Sequence, residues 1–515
     1  MPQQSHKQQN NQNILQQLGS LSLWPHFIKF CTIPRPSKHE AAIINYIRQQ
    51  GEQHDAIVEQ DTIGNLLLRV PASQGYEKIP TIALQSHVDM VAQANSQSAH
   101  NFYKDPLTLQ IKNGWLSAIE TTLGADNGIG CAAMLALMTD NNVKHGSLEL
   151  LFTVDEEAGM GGAFGLQKDW LTAKKLLNLD TEEEGEIYIG CAGGVDIDSI
   201  QSPIWQSPPD AKEDKEKPAA ITISLTGLLG GHSGVDIHLK RLNANILLAQ
   251  ELLNAAQYHH FQLHSFNGGT LRNAIPREAF ATIFSYDSRA LIAYLETRCS
   301  ELKARYYHSE PDLQLKTKLL ASEKIESNHV LSSIDTQTLL SLLASHPNGV
   351  IHYSDTLEGV VESSNNLGIV TLNSGGTLSL ASLCRSASNN ERDTHANRIA
   401  SYQKQHRLNS QSEKALEINI HGAYPGWQLA NDNALMKQGL QLYQRLFNKE
   451  ASLQVIHAGL ECGLISETYP DCDIISFGPT ITGAHSPNEQ VDIKSVAKFW
   501  QFLTHFIILN KSVEP

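Results

Sequence analysis

No run of eighteen or more apolar residues occurs in this 515-residue chain, so the sequence offers no membrane-spanning helix. Positive charge is the scarcer sign, with 39 Lys and Arg against 54 Asp and Glu. The resulting net charge of −15 argues against a nucleic-acid partner, whose binding surfaces are basic. Cysteine is sparse: Cys31, Cys131, Cys191, Cys299, Cys384, Cys462 and Cys472 are scattered, odd in number, and show no zinc-ribbon or redox spacing. That usage predicts reduced thiols and a cytoplasmic protein. The opening MPQQSHKQQNNQNILQQLGS lacks the apolar core of a signal peptide, and its Gln/Asn-rich composition predicts a disordered tail over 1–20. A glycine-rich phosphate-cradling loop with its lysine is also missing, which argues against a phosphatase.

What is present has the balance of an ordinary globular protein, 41% hydrophobic and 18% charged. Length alone predicts about three domains at roughly 150 residues each. From 21 to 194, short apolar runs (TIALQ, LELLFTV, KLLNL) alternate with helical stretches such as GIGCAAMLALMTD. This rhythm predicts an α/β unit, a mostly parallel sheet flanked by helices. Ser37, with Glu40 three residues on, reads as the N-cap of a helix. Between 195 and 425 the text changes. The runs AAITISLTG, EAFATIFSYD and TLSLASLCRS, with a helix in NANILLAQELLNAAQ, predict an inserted α+β domain. The Pro-bounded charge run SPPDAKEDKEKPAA (207–220) reads as a solvated loop. From 426 to 515 the first pattern resumes, so the α/β domain is predicted to be discontinuous. It closes on a helix whose Val496, Phe499, Trp500, Leu503 and Phe506 share one face.

In open α/β sheets, ligands gather beyond the carboxyl ends of the strands. Five segments place metal-competent side chains there: His87 and Asp89 after TIALQ, Asp126 in GADNGIG, Glu156 and Glu157 after LELLFTV, Asp180 after KKLLNL, and His485 after DIISFG. Any one of these is commonly a cap or turn residue; their joint placement on one predicted rim is what carries weight. Two histidines and several carboxylates suit two divalent ions of zinc type, about 3.5–4 Å apart and sharing a carboxylate. That pattern also explains the adjacent glutamates of LFTVDEEAGMGG: one can hold metal while its neighbour serves as a base.

LQSHVDMV, TTLGADNGIG, LFTVDEEAGMGGAFGL, LNLDTEEEGEIYIGCAGG, GGHSGVDIH, GGTLRNAIPREA and GAHSPNE together resemble the co-catalytic dizinc exopeptidases that include carboxypeptidase G and acetylornithine deacetylase. The narrower resemblance is to the bacterial aminoacyl-histidine (Xaa-His, β-Ala-His) dipeptidases, over residues 21–510. It implies hydrolysis of Xaa-His and related dipeptides by a dizinc-bound water, in a cytosolic enzyme that touches neither membrane nor nucleic acid. Co²⁺ or Mn²⁺ could stand in for Zn²⁺. The alternative within the family is a deacetylase or amidase acting on N-acyl amino acids.

By the same resemblance His87 and Asp180 would hold one ion, Glu157 and His485 the other, and Asp126 would bridge them. Asp89 would orient the His87 ring, and Glu156 would be the general base. In the inserted domain, a lid and dimerisation module, His232 would steady the reacting carbonyl oxygen across a homodimer, and Asn273 and Arg385 would bind substrate. The family also implies a cis peptide between Asp126 and Asn127. Two departures from its pattern stand out: Ser86 and Leu242 each replace an expected glycine. His457, in HAGLECG, reads as structural support.

Overall fold

The computed structural model describes residues 2–208, 218–320, 329–355, 357–409, 416–428 and 433–509. It divides into two compact units, not the three that length alone predicts: Met1–Cys191 with Trp427–Val455 and Leu460–Pro515, and Ala192–Gly426 with Ile456–Gly459. These junctions lie within a few residues of the expected 194/195 and 425/426. Residues 209–217 of the charged run lie outside the described residues.

In the first unit a sheet runs in the order Ile57–Gln60, Leu66–Val70, Leu148–Thr153, Ile82–His87, Lys175–Asn178, Asp473–Ser476, Glu186–Cys191, Trp427–Gln428. The sheet is mixed, not mostly parallel. Its four central strands, Leu148–Thr153 through Asp473–Ser476, are parallel, and both flanks are antiparallel. One flank is antiparallel because Asp61 closes a tight return: its side chain accepts hydrogen bonds from the N–H groups of Ile63, Gly64 and Asn65, and the next strand turns back. The parallel centre is what positions the site. Every residue of Ile82–His87 and Leu148–Thr153 is buried, as befits strands covered on both faces. Their register pairs His87 with Thr153, and Asn178 pairs with both Gln85 and Ser476. Four strand ends therefore release their chains at one rim.

Helix Ala125–Thr139 is buried along nearly its whole length beneath that rim, and the helices Ala434–Phe447 and Ile493–Phe506 line the core. The five apolar residues named for the closing helix are all buried.

The amino-terminal region differs from expectation at two further points. The chain over 1–20 is not a disordered tail: Pro2–Leu18 is helical. Ile14 and Leu18, one turn apart, are buried in the core, and Asn11 exchanges hydrogen bonds with the backbone of Leu107 and Leu109. Nor is Ser37 an N-cap. The helix runs Ala41–Gln53, and the Ser37 hydroxyl is taken by Asp89 instead.

The second unit is built on a sheet in the order Gln314–Leu319, Ala219–Thr226, Ala279–Ser285, Phe261–Gly268, Val361–Leu372, Leu378–Ser386, Gly193–Gln201, Leu416–Tyr424, antiparallel at every described pairing. Helices Ala244–Ala255, Ser288–Arg305 and Ser333–Ala344 share an apolar core with it, around Ile223, Leu248, Leu263, Phe266, Leu291 and Leu339.

Candidate metal centre

Seven of the ten residues picked from the sequence converge in the first unit. His87 ends its strand with Nε2 3.0 Å from Asp126 Oδ1 and 3.3 Å from Asp180 Oδ1. The other oxygen of Asp126, Oδ2, lies 3.4 Å from His485 Nε2, which is 3.0 Å from Glu157 Oε2. Asp126 thus turns one oxygen toward the His87–Asp180 pair and the other toward His485–Glu157. Ligand atoms of His87, Asp126 and Glu157 all fall within 4.8 Å of one another.

The backbone explains how the two glutamates come to share one place. Alternation along a strand would send them to opposite faces. The strand stops at Thr153, however, and Asp155 adopts φ +55, a left-handed conformation that reverses the chain. Asp89, fully buried, holds the turn: its Oδ1 accepts the Glu156 N–H (3.0 Å) and its Oδ2 the Glu157 N–H (3.1 Å) and the Ser37 hydroxyl (2.8 Å). Asp89 Oδ1 also lies 3.4 Å from His87 Nδ1, so one carboxylate joins the histidine's strand to the glutamates' turn.

The Asp126–Asn127 peptide is cis, as the resemblance implies. Asn127 donates its amide to Asp180 Oδ1. A Cβ on Gly130 would sit 2.1 Å from the Asn127 side-chain oxygen and 2.5 Å from Ser86 Oγ, so this glycine makes room for Asn127. Ser86 is accommodated within a regular, fully buried strand.

The electrostatics of this cluster are those of anions short of positive charge. Burial and the neighbouring Glu157 hold the Glu156 carboxyl well above its ordinary range. Burial raises Asp180 to about 6 and raises Glu182, just beyond it, to about 8. Burial also works against the Asp126 carboxylate, but hydrogen bonds from His485 and His87 outweigh it and hold its pKa low. Hydrogen bonds to Asp126 and Glu157 lift His485 to about 11. Glu157 Oε1 is buried with no hydrogen-bond partner. Imidazole nitrogens, carboxylate oxygens and an orphaned buried oxygen are a donor set that fits divalent ions of zinc type.

Beneath the rim lies a buried polar chain that the sequence reading passed over. Glu461 Oε2 accepts from Gln85 Nε2 (2.5 Å) and Thr153 Oγ1 (2.7 Å), and Asn178 donates to Gln85 and receives from Ser476. The signal was there in the polar Gln85 and Asn178, set among apolar neighbours on strands that should be dry.

The remaining three residues belong to the second unit. His232 lies on a short strand paired with Ala274–Ile275, and its Nδ1 accepts the N–H groups of Gly234 (3.2 Å) and Val235 (3.0 Å). Asn273 is exposed, and its carbonyl receives the Ser233 N–H. Arg385 is buried and donates from Nη1 to the Tyr424 hydroxyl (2.6 Å). His457 is buried in the same unit, its Nε2 2.7 Å from Ser364 Oγ.

A clustered set of strand-end acids and histidines on a mixed α/β sheet is the arrangement of a metal-dependent hydrolase. The family model for peptidase family M20/M25/M40 matches residues 83–509, and the chain belongs to that family of metallopeptidases. Over 495 residues it is 44% identical to the cytosol non-specific dipeptidase of Escherichia coli strain K12, covering 96% of this chain and 98% of that one. The aminoacylhistidine dipeptidase of Vibrio alginolyticus superposes with a TM-score of 0.80 at 39% identity, over 95% of this chain and 97% of that one. An aminopeptidase from Bacillus cereus shares the fold (TM-score 0.53, 16% identity, 95% and 97% covered). No described helix is long and apolar enough to cross a membrane.

Proposed function

We propose that this chain is a cytosolic dipeptidase that holds two divalent ions, zinc in the first instance, and hydrolyses Xaa-His and related dipeptides. The observation that carries the reading is the two-sided Asp126, with His87 and Asp180 at one oxygen and His485 and Glu157 at the other. These five residues would hold the ion pair, with Asp126 as the shared ligand. The names of the Escherichia coli and Vibrio relatives support the dipeptide substrate and the cytosolic setting. Both are peptidases, which disfavours the deacetylase alternative.

When bound, the ions supply Lewis acidity to water and to the peptide carbonyl. Glu156 takes a proton from the attacking water and passes it to the leaving amine. Asp89 fixes the His87 ring and the turn that carries Glu156 and Glu157. By resemblance to the family, His232 stabilises the oxyanion from the partner protomer of a homodimer joined through the inserted domains, while Arg385 and Asn273 receive the substrate, with the guanidinium suited to a free carboxylate. A metal assay of the purified protein with a substrate panel tests the proposal. The expected result is two ions per chain and hydrolysis of β-Ala-His and other dipeptides. Preferential hydrolysis of N-acetyl amino acids would overturn it in favour of the deacetylase.

A further inference from the structure

Helix Ala125–Thr139 starts badly by local standards. Gly124 before it, at φ +66, has no side chain to satisfy the neighbouring N–H groups, and Asp126 (ψ 113) and Asn127 (φ −105, ψ 34) depart from helical backbone, so 123–126 is a turn leading into the helix. The missing acceptor comes from far along the chain. Glu489, only 2% exposed, reaches the turn with both oxygens: Oε2 accepts from Leu123 N (2.7 Å) and Gly124 N (2.9 Å), while Oε1 accepts from Ala125 N (2.7 Å) and lies 3.4 Å from Asp126 N. Glu489 stands four residues after His485, so the loop bearing one candidate ligand grips the turn bearing another.

A second buried ion works on the same turn from its carbonyl side. Arg35, 1% exposed, donates from Nη1 to the carbonyls of Val88 (2.9 Å) and Asp89 (2.8 Å) and from Nη2 to that of Gly124. It ties the segment following His87 to the residue two before Asp126. Gly124 has to be glycine for this reason as well: a Cβ would stand 2.4 Å from Arg35 Nη2. Neither charged group bonds the other. Each spends its hydrogen bonds on main chain, the anion on N–H and the cation on C=O. An isolated buried charge is costly, so groups satisfied in this way fix the backbone they bind.

We propose that Glu489 and Arg35 are positioning residues that hold the 123–126 turn in ligand-ready form before any metal arrives, so that Asp126 presents its two oxygens without a folding step on binding. This rests on Asp126 being the shared ligand. The test uses the full-length chain stripped with a chelator, and follows hydrogen exchange of the 123–126 amides. Expected is protection on the order of 10²-fold or more over open-chain rates without metal, as for amides opened only by sub-global motion. Amides that exchange freely until Zn²⁺ is added would overturn the proposal.

Glu489→Gln, which offers two of the N–H groups an NH₂, should remove that protection and weaken Zn²⁺ affinity by about 10–100-fold, the range found for groups that orient ligands. At saturating Zn²⁺ it should lower kcat while leaving dipeptide KM unchanged. A merely structural residue would lower the melting point and leave Zn²⁺ affinity per folded molecule alone, and a folded Glu489→Gln with wild-type affinity overturns the idea. Should that variant not fold, Arg35→Lys and the wild-type exchange measurement decide in its place. Asp126→Asn separates the two readings: it should keep the turn protected while losing metal, and tight binding of two ions by that variant would refute the shared ligand, not the clamp.

Discussion

The two units bury their histidines in different company. In the first, acids and histidines are pressed against one another at a single rim, and several are pushed away from their ordinary pKa values by burial and by each other. In the second, buried histidines find neutral partners. His346 packs edge-on against Tyr402, its Nδ1 3.0 Å from the Pro347 carbonyl and its Nε2 3.2 Å from the Gln403 amide. His457 meets the hydroxyl of Ser364. The histidines of the second unit rest against neutral groups; the rim of the first is arranged around positive charge that the chain itself does not supply. On the proposed reading, the crowded acids of the first unit are stabilised by the cations they would hold, and the free protein bears the cost of their burial.

Chelation should separate the units most sharply. Removing divalent ions is expected to abolish dipeptide hydrolysis and to lower the stability of the first unit by about 4 kcal/mol where the ion had been present at a thousand times its Kd. The second unit should be unchanged. Hydrogen exchange resolved by segment checks this, and equal loosening of both units would break the comparison.

Within the first unit, ligands and base should also part company. Glu156→Gln is expected to retain bound zinc and substrate affinity while losing at least about 10²-fold in turnover. Metal content and kcat, measured on one preparation, read both halves of this expectation; near-normal turnover with zinc bound would remove Glu156 from its role.

The comparison also bears on what could be read in advance. His87, Glu156, Glu157 and Asp180 were legible because each ends or closely follows a short apolar strand, and strand ends of a parallel centre meet at one rim whatever the rest of the sheet does; Asp126, at the head of a helix, and His485, in a loop beyond another sheet, were legible only through their motifs. The antiparallel flanks were not, since strand direction there depends on connections such as the Asp61 turn, which hydrophobic pattern does not encode. Ser37 was misread because its spacing to Glu40 imitates a capping box, and only the fold brings Asp89 within reach to compete for the hydroxyl. Glu489 passed as part of a motif, since its role lies in contacts to backbone more than 360 residues away. The assignment of Ile456–Gly459 to the second unit is likewise a tertiary fact with no local mark.

Acid should act on the second unit through its neutral histidines. Burial lowers His346 from 6.5 to about 4, and burial with the Arg385 charge lowers His457 to about 3. A histidine whose folded pKa is depressed contributes stability in full above the unfolded value; that contribution drains away as pH falls from about 6.5 toward the folded value, because the unfolded chain protonates first. For His346 the loss is about 3 kcal/mol. Protection factors of the 333–344 helix, corrected for intrinsic exchange, should fall between pH 7 and pH 4.5, and less so in His346→Gln. Identical pH dependence in the two proteins would remove His346 as the cause.

The smallest expected effect concerns the amino-terminal helix, which packs in the first unit alone. Asn11 donates to the Leu107 carbonyl at 3.0 Å and accepts the Leu109 N–H at 3.2 Å, while Ile14 and Leu18 of the same helix enter the core. Asn11→Ala leaves both backbone groups without their partner, at a cost of about 1–2 kcal/mol. Because the hydrogen bonds of Asn11 go to the backbone of Leu107 and Leu109 and to no candidate ligand, the variant should bind zinc and turn over dipeptide as the wild type does. Its first unit should open sooner in segment-resolved exchange, with the second unit unmoved. If Asn11→Ala instead weakened zinc binding, the stability of the first unit and the readiness of its metal centre would be one property, and the contrast between a conditional rim and an unconditional fold would have to be drawn inside that unit.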